Sequence, residues 1–311
     1  MKAAFWVFAV FLTLARLGSY LLGTDKATPV RPRTFVATPA PLANADVKLE
    51  PPSVASVIAP GVVRRRTMVP SAGGPIRLWI YTPEKPTGKK LPCVFVAPAG
   101  TPLIWGMDLG SGDMPEHLPY VKAGFAVIAY EIAGAVASPR TSAPPAASVK
   151  AFLAANGGVE NARSAMDYAE KFLPELDRTR FFVAGHSSAA TLALQVAQHE
   201  PRVRACAAYA PVTDLEGRVG PDIRLLDLLG GFSQYVRDYS PLVQAQRLGV
   251  PALIFHAKDD SNVRCADSQR FVELVQRTNP KVSLKLAESG GHYDAMISEG
   301  IPAGIAFFRQ F

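Results

Sequence analysis

From residue 62 onward the chain is organised by two periods of hydrophobic and polar positions. Residues 62–69 and 76–82 are apolar, β-branched runs separated by Pro70-Ser71-Ala72-Gly73-Gly74-Pro75, a pattern that predicts a hairpin. Residues 91–97 are wholly apolar and short, as expected of a strand covered on both faces. A helical stretch at 116–123 and a buried strand at 125–130 follow. Across 161–173 the apolar positions Ala162, Ala165, Met166, Ala169, Phe172 and Leu173 recur at helical spacing, and 181–184 reads as the next strand. The alternation then continues: helix 188–198, strand 203–209, strand 252–256, helix 266–277, strand 282–286 and helix 295–308. An initial hairpin followed by alternating strands and helices predicts an α/β fold with a mainly parallel central sheet flanked by helices. Residues 134–158 and 212–248 break the alternation and are expected to form cap or lid insertions, because long connections in compact domains usually serve a function or are mobile.

The N-terminal sixty residues follow a different pattern. Residues 3–15 form an apolar run behind Lys2, Arg16 interrupts it, and apolar residues resume to Gly23. Segment 1–23 therefore reads as a signal peptide or a membrane anchor, which predicts export and leaves membrane attachment through this segment open. Residues 24–60 contain seven prolines with no helical or strand period and read as a disordered tether. The catalytic unit is then expected at 61–311.

Composition narrows the function. The 311 residues are 49% hydrophobic and 19% charged, which excludes a disordered or fibrous protein. The net charge is +7, but Lys2, Arg16, Lys26, Arg31 and Arg33 against Asp25 place +4 of it in residues 1–45. The remainder is nearly balanced and lacks a basic stripe interleaved with aromatics, so no nucleic-acid partner is expected; Arg64-Arg65-Arg66 reads as a solvated strand edge. Cys93, Cys206 and Cys265 lack the paired spacings of a disulfide scaffold or zinc site. Cys93 and Cys206 lie in apolar runs and are expected to be buried.

Gly185-His186-Ser187-Ser188-Ala189 directly follows the strand at 181–184 and opens a helix. A serine there sits on a sharp strand-to-helix turn, where small residues two before and two after allow the close approach that exposes the hydroxyl. Such a hydroxyl needs a base to take its proton and an acid to hold the base in the right tautomer. Downstream, Asp259-Asp260 follows the strand ending at His256, and Gly290-Gly291-His292 follows the last strand. All three positions fall at the carboxyl edge of the predicted sheet, where open α/β folds place their sites. Asp260 is preferred to Asp259 because of its spacing to Val263. His256 and His186 read as packed strand-end and turn residues, and His117 and His199 as surface residues.

From about Val62 to Phe311 the chain resembles an α/β-hydrolase, most closely the catalytic domain of the prolyl oligopeptidase family. The resemblance rests on Asp177-Arg178-Thr179-Arg180-Phe181 leading into Gly185-His186-Ser187, on Ser240-Pro241 ahead of Val250-Pro251-Ala252-Leu253-Ile254-Phe255-His256, on Asp260 to Val263, and on Gly291-His292. It implies Ser187 as nucleophile, Asp260 as acid and His292 as base, with no metal or cofactor. Ala189 replaces the last glycine of the turn, and Ala97-Pro98-Ala99-Gly100-Thr101 replaces the usual segment after the third strand. Pro98 has no N–H, so the oxyanion hole is expected to use the backbone of Ala99, with Gly100 second, together with Ser188. The resemblance implies a serine hydrolase of a small ester or short peptide, with an ester favoured because no β-propeller is present. A non-catalytic binding protein on the same fold and an acyltransferase are the alternatives. Trp105, Met107, Tyr120 and Phe232 are candidates to line an acyl pocket. The sequence specifies no oligomeric state.

Overall fold

A computed structural model describes residues 47–85, 89–136 and 144–311. The expected signal or anchor at 1–23, and the part of the expected tether up to residue 46, lie outside the described residues.

Nine strands form one sheet: β1 (Ser56–Ala59), β2 (Val62–Val69), β3 (Ile76–Pro83), β4 (Leu91–Val96), β5 (Ala126–Tyr130), β6 (Leu176–His186), β7 (Val203–Tyr209), β8 (Ala252–Ala257) and β9 (Val282–Ala287). Their order is β1-β2-β3-β5-β4-β6-β7-β8-β9. The first three strands and the β3–β5 pair are antiparallel, and β5, β4 and β6 to β9 run parallel. The predicted hairpin is in place, with Val62 opposite Pro83 and Val69 opposite Ile76. The expected tether was drawn too long: Ser56–Ala59 pairs along β2, Ser53 N–H donates to Arg66 O at 2.9 Å, and Tyr168 Oη donates to Glu50 O at 2.9 Å. A short edge strand needs only backbone groups and one covered face, so its proline-rich sequence gave no strand signal. Arg64-Arg65-Arg66 lies on β2, inside the sheet: Arg64 covers the Trp79 ring at 4.6 Å and Arg65 pairs with Glu175.

Strand residues alternate between the two faces, and each face has its own core. Cys93 and Phe95 of β4 join one core, and Val94 and Val96 the other. The helices are α1 (Met114–Lys122), α2 (Pro145–Ala154), α3 (Val159–Phe172), α4 (Ser188–His199), α5 (Leu215–Val219), α6 (Ile223–Leu226), α7 (Phe232–Tyr239), α8 (Cys265–Gln276) and α9 (Ile301–Phe308). Helix α4 is buried at every position but His199, and its buried Thr191, Gln195 and Gln198 side chains donate to the backbone carbonyls of Val212, Tyr239 and Pro241. The expected terminal helix starts later than its pattern suggests, because Met296–Gly300 forms a wider π turn before α9. Cys93 and Cys206 are fully buried, and all three cysteines are free thiols.

The two stretches that break the alternation are partly helical and pack on each other. The Phe152 ring of α2 meets the Tyr235 ring of α7 edge-on at 5.4 Å. Gly157, at φ +68°, lies so close beneath Tyr235 that an added Cβ would fall 2.3 Å from its hydroxyl. Among the described residues no helix is long and apolar enough to cross a membrane.

Candidate active site

Strand β6 ends at His186, and the chain turns sharply at Ser187 (φ 55°, ψ −120°) into α4. A non-glycine residue in this sparsely populated region costs on the order of 1–3 kcal/mol. The turn is held from two sides: Ser187 N–H donates to Tyr209 O of β7 at 2.8 Å, and Ser187 O accepts from Ala190 and Thr191 N–H at 3.0 and 3.1 Å. Gly185 permits it, since a Cβ there would stand 2.3 Å from the Ala189 carbonyl oxygen. Ala189 is itself accommodated, fully buried in the core behind the turn.

Strand β8 ends at Ala257 and delivers two adjacent aspartates to the same edge with distinct tasks. Asp260 Oδ2 lies 2.7 Å from His292 Nδ1, and Asp260 Oδ1 accepts the Asn262 and Val263 N–H groups at 2.8 and 3.0 Å. Burial opposes its ionisation, but the His292 bond and the two amides outweigh it and hold the carboxyl below its usual range. Asp259, by contrast, accepts the backbone N–H of Gly291 at 2.8 Å and of Gly290 at 3.2 Å. It clamps the turn that carries His292, a turn made by two glycines at positive φ (114° and 58°). The Asp-Asp pair thus holds the histidine ring with one side chain and its backbone with the other.

His292 and Ser187 meet at this edge through a third residue. His186 Nε2 lies 2.7 Å from His292 O, and the two rings are 4.7 Å apart. No hydrogen bond joins Ser187 Oγ to His292 in this arrangement. On the far side of His186, Glu116 Oε1 stands 3.7 Å from Nδ1, within ion-pair but not hydrogen-bond reach. Burial of neighbouring Asp113 pushes its carboxyl up to about 6, against the Gly110 N–H bond that favours the ionised form and with Glu116 adding to the rise.

The turn after β4 is tied directly to α4. Gly100 and Thr101 N–H both donate to Ser188 Oγ, at 2.9 and 3.0 Å. That engages the Gly100 amide and leaves the Ala99 and Ser188 amides without an acceptor among the described residues. Met107 approaches the same turn, since a Cβ on Gly100 would lie 3.9 Å from its Cε. The expected acyl-pocket set does not assemble. Tyr120 and Phe232 are fully buried in the cores on opposite faces of the sheet, and Tyr120 Oη is bonded to Tyr209 Oη, so these two cannot line one pocket.

Sequence reasoning left three contributors unassigned: His186, Asp259 and His256. His256 Nε2 is 3.1 Å from Asp260 Oδ2 and 3.0 Å from Val263 O, while its Nδ1 is 2.8 Å from Ser268 Oγ. The available signal was spacing, since His256 lies near the end of the strand, four residues before Asp260. His117, expected at the surface, is buried under Tyr81, and His199 is half-buried against Tyr239.

The model of the prolyl oligopeptidase family matches residues 154–308. No curated protein matches the chain in sequence. Among solved structures, the chain is similar to puromycin hydrolase (TM-score 0.63, 20% identity, covering 82% of this chain and 40% of that one). It is also similar to the Pyrococcus horikoshii acylaminoacyl peptidase (TM-score 0.60, 18% identity, 81% and 41%) and to the acetyl xylan esterase from Paenibacillus sp. R4 (TM-score 0.61, 19% identity, 88% and 90%). The chain therefore spans about two-fifths of the length of the first two and nearly all of the esterase. These likenesses establish the fold as that of α/β-hydrolases, and residues 154–308 are similar to the prolyl oligopeptidase family.

Proposed function

We propose that the protein is a serine hydrolase that cleaves a carboxylic ester or a short peptide bond through an acyl-enzyme on Ser187. The observation that carries the reading is the bond between Asp260 and His292 beside a serine held at positive φ on a strand-to-helix turn. With Asp260 on Nδ1, the proton of neutral His292 sits on Nδ1 and Nε2 presents a lone pair. Nε2 takes the Ser187 proton as Oγ attacks the carbonyl carbon. The imidazolium that forms is stabilised by Asp260 and returns the proton to the leaving oxygen or nitrogen. The Ala99 and Ser188 amides are the donors available to the developing oxyanion, and the bonds from Gly100 and Thr101 to Ser188 Oγ fix their relative position. Water activated by the same histidine then releases the acid and frees Ser187.

An ester is the favoured substrate. The chain pairs with the Paenibacillus esterase over nearly its whole length, whereas it covers only about two-fifths of the Pyrococcus peptidase. We further propose export, on the apolar residues behind Lys2. The test is to treat the purified full-length protein and its Ser187→Ala variant with a fluorophosphonate probe and to locate the adduct by mass spectrometry. Labelling confined to Ser187 supports the hydrolase; a folded, unlabelled protein favours a binding role on the same fold.

A further inference from the structure

We propose that His256 is a positioning residue for the reaction, holding Asp260 for His292 through its Nε2–H while Ser268 anchors the opposite ring nitrogen. This rests on the reading of Ser187, His292 and Asp260 given above.

The bonding pattern leaves one protonation arrangement. Nε2 of His256 faces two acceptors, the Asp260 carboxylate and the Val263 carbonyl, so the proton must be on Nε2. Nδ1 faces only the Ser268 hydroxyl, which donates to it. The ring is neutral, because its burial lowers its pKa more than the neighbouring Asp260 and Val263 O raise it. His256 and Ser268 are both inaccessible to solvent. Water therefore cannot substitute for either bond.

Asp260 Oδ2 thus receives two ring N–H groups, one from each histidine, while Oδ1 receives two backbone amides. The amides fix Oδ1 relative to the loop. They do not settle the rotation of the carboxylate about its last bond, which a second anchor on Oδ2 does. The Val263 carbonyl gives the His256 proton an alternative acceptor. As His292 becomes charged and draws on Oδ2, His256 can lean toward Val263 without leaving a buried donor unpaired.

The experiment measures fluorophosphonate inactivation of the full-length protein, resolving the maximal rate kinact from the binding constant KI, at a temperature well below every variant's Tm. His256→Phe keeps a planar ring but removes the donor; kinact should fall about tenfold, the worth of one hydrogen bond, with KI unchanged. His256→Gln restores a donor at the Nε2 position and should recover most of that loss. Ser268→Ala removes the donor to Nδ1, leaves that buried nitrogen unpaired and the ring unanchored on that side, and should lower kinact in the same direction while keeping the Nε2 donor. If His256→Phe does not fold, Ser268→Ala decides the question alone. Unchanged kinact in Ser268→Ala and in any folded His256→Phe overturns the proposal, as does a loss that Gln fails to recover or that appears in KI. Asp260→Asn is measured alongside: if it labels at the wild-type rate, the assignment of Asp260 has failed, whatever the His256 variants do.

Discussion

His186 Nε2 reaches the carbonyl oxygen of His292 at 2.7 Å, so the residue before the proposed nucleophile holds the backbone of the proposed base. The contact joins the end of β6 to the loop after β9 and sets the separation of Ser187 from His292 independently of any bond between their side chains. His186→Phe keeps the ring that packs at 4.7 Å on His292 and 5.6 Å from Tyr293 but removes the donor. We expect a threefold to tenfold drop, roughly the value of one partly buried hydrogen bond, in the rate of fluorophosphonate labelling. A wild-type rate would show that the contact contributes packing alone.

Asp259 should behave as a clamp on the same loop. Its carboxylate is exposed, and its two backbone acceptances hold Gly290 and Gly291. Asp259→Ala is expected to cost about 1 kcal/mol or less in stability but to slow labelling several-fold, because two freed glycines have many other conformations open to them. Asp259→Asn, which retains one acceptor oxygen, should fall between. Chemical denaturation and labelling kinetics on the same samples separate the two effects.

The turn at Ser187 predicts opposite outcomes at its two small residues. Gly185→Ala drives a methyl to 2.3 Å from the Ala189 carbonyl oxygen, a backbone atom that cannot move alone. It should cost roughly 1–3 kcal/mol or more and abolish labelling. Ala189→Gly removes only a methyl near the start of a buried helix and should cost about 1 kcal/mol from helix propensity, with labelling retained. Urea unfolding curves with probe labelling distinguish the two.

Buried histidines predict loss of stability in acid. Burial pushes His117 down to about 3 and His199 down to about 4, and lowers His256 as well. Each is neutral when folded yet takes up a proton near pH 6.5 when unfolded, so the unfolded state binds more protons and stability falls as pH drops below about 6.5. His117 contributes at most about 1.4 kcal/mol per pH unit, continuing down toward its folded value. Its Nε2 is buried without a partner, so His117→Phe should fold and flatten the Tm-versus-pH curve between pH 6 and 4. An unchanged slope would mean that His117 is not held neutral.

Much of the architecture was legible because it depends on local periodicity. The buried strands β4, β5, β7 and β8 announced themselves as short apolar runs, and α3 as apolar positions at helical spacing. Edge strand β1 was missed because half its surroundings are solvent and its pairing uses backbone atoms that carry no side-chain signature. The helices within 145–154 and 215–239 were obscured because their apolar residues answer to each other across a long gap, as Phe152 does to Tyr235. His117 was misplaced because one polar residue on an apolar helix face gives no sign of which way that face points.

The sequence by itself determined the α/β order, the strand-to-helix turn at Ser187, and the succession of a serine, an aspartate and a histidine at strand ends. These follow from hydrophobic periods and from glycine, proline and small-residue placement, all local properties. Tertiary structure alone decided that Asp259 clamps the Gly290-Gly291 turn, that Ser188 Oγ engages the Gly100 and Thr101 amides, and that Tyr120 and Phe232 are separated by the sheet. It alone revealed His256 behind Asp260 and His186 beneath His292. Those relations depend on distances between segments far apart in the chain, and a hydrogen bond is made or lost within less than an ångström.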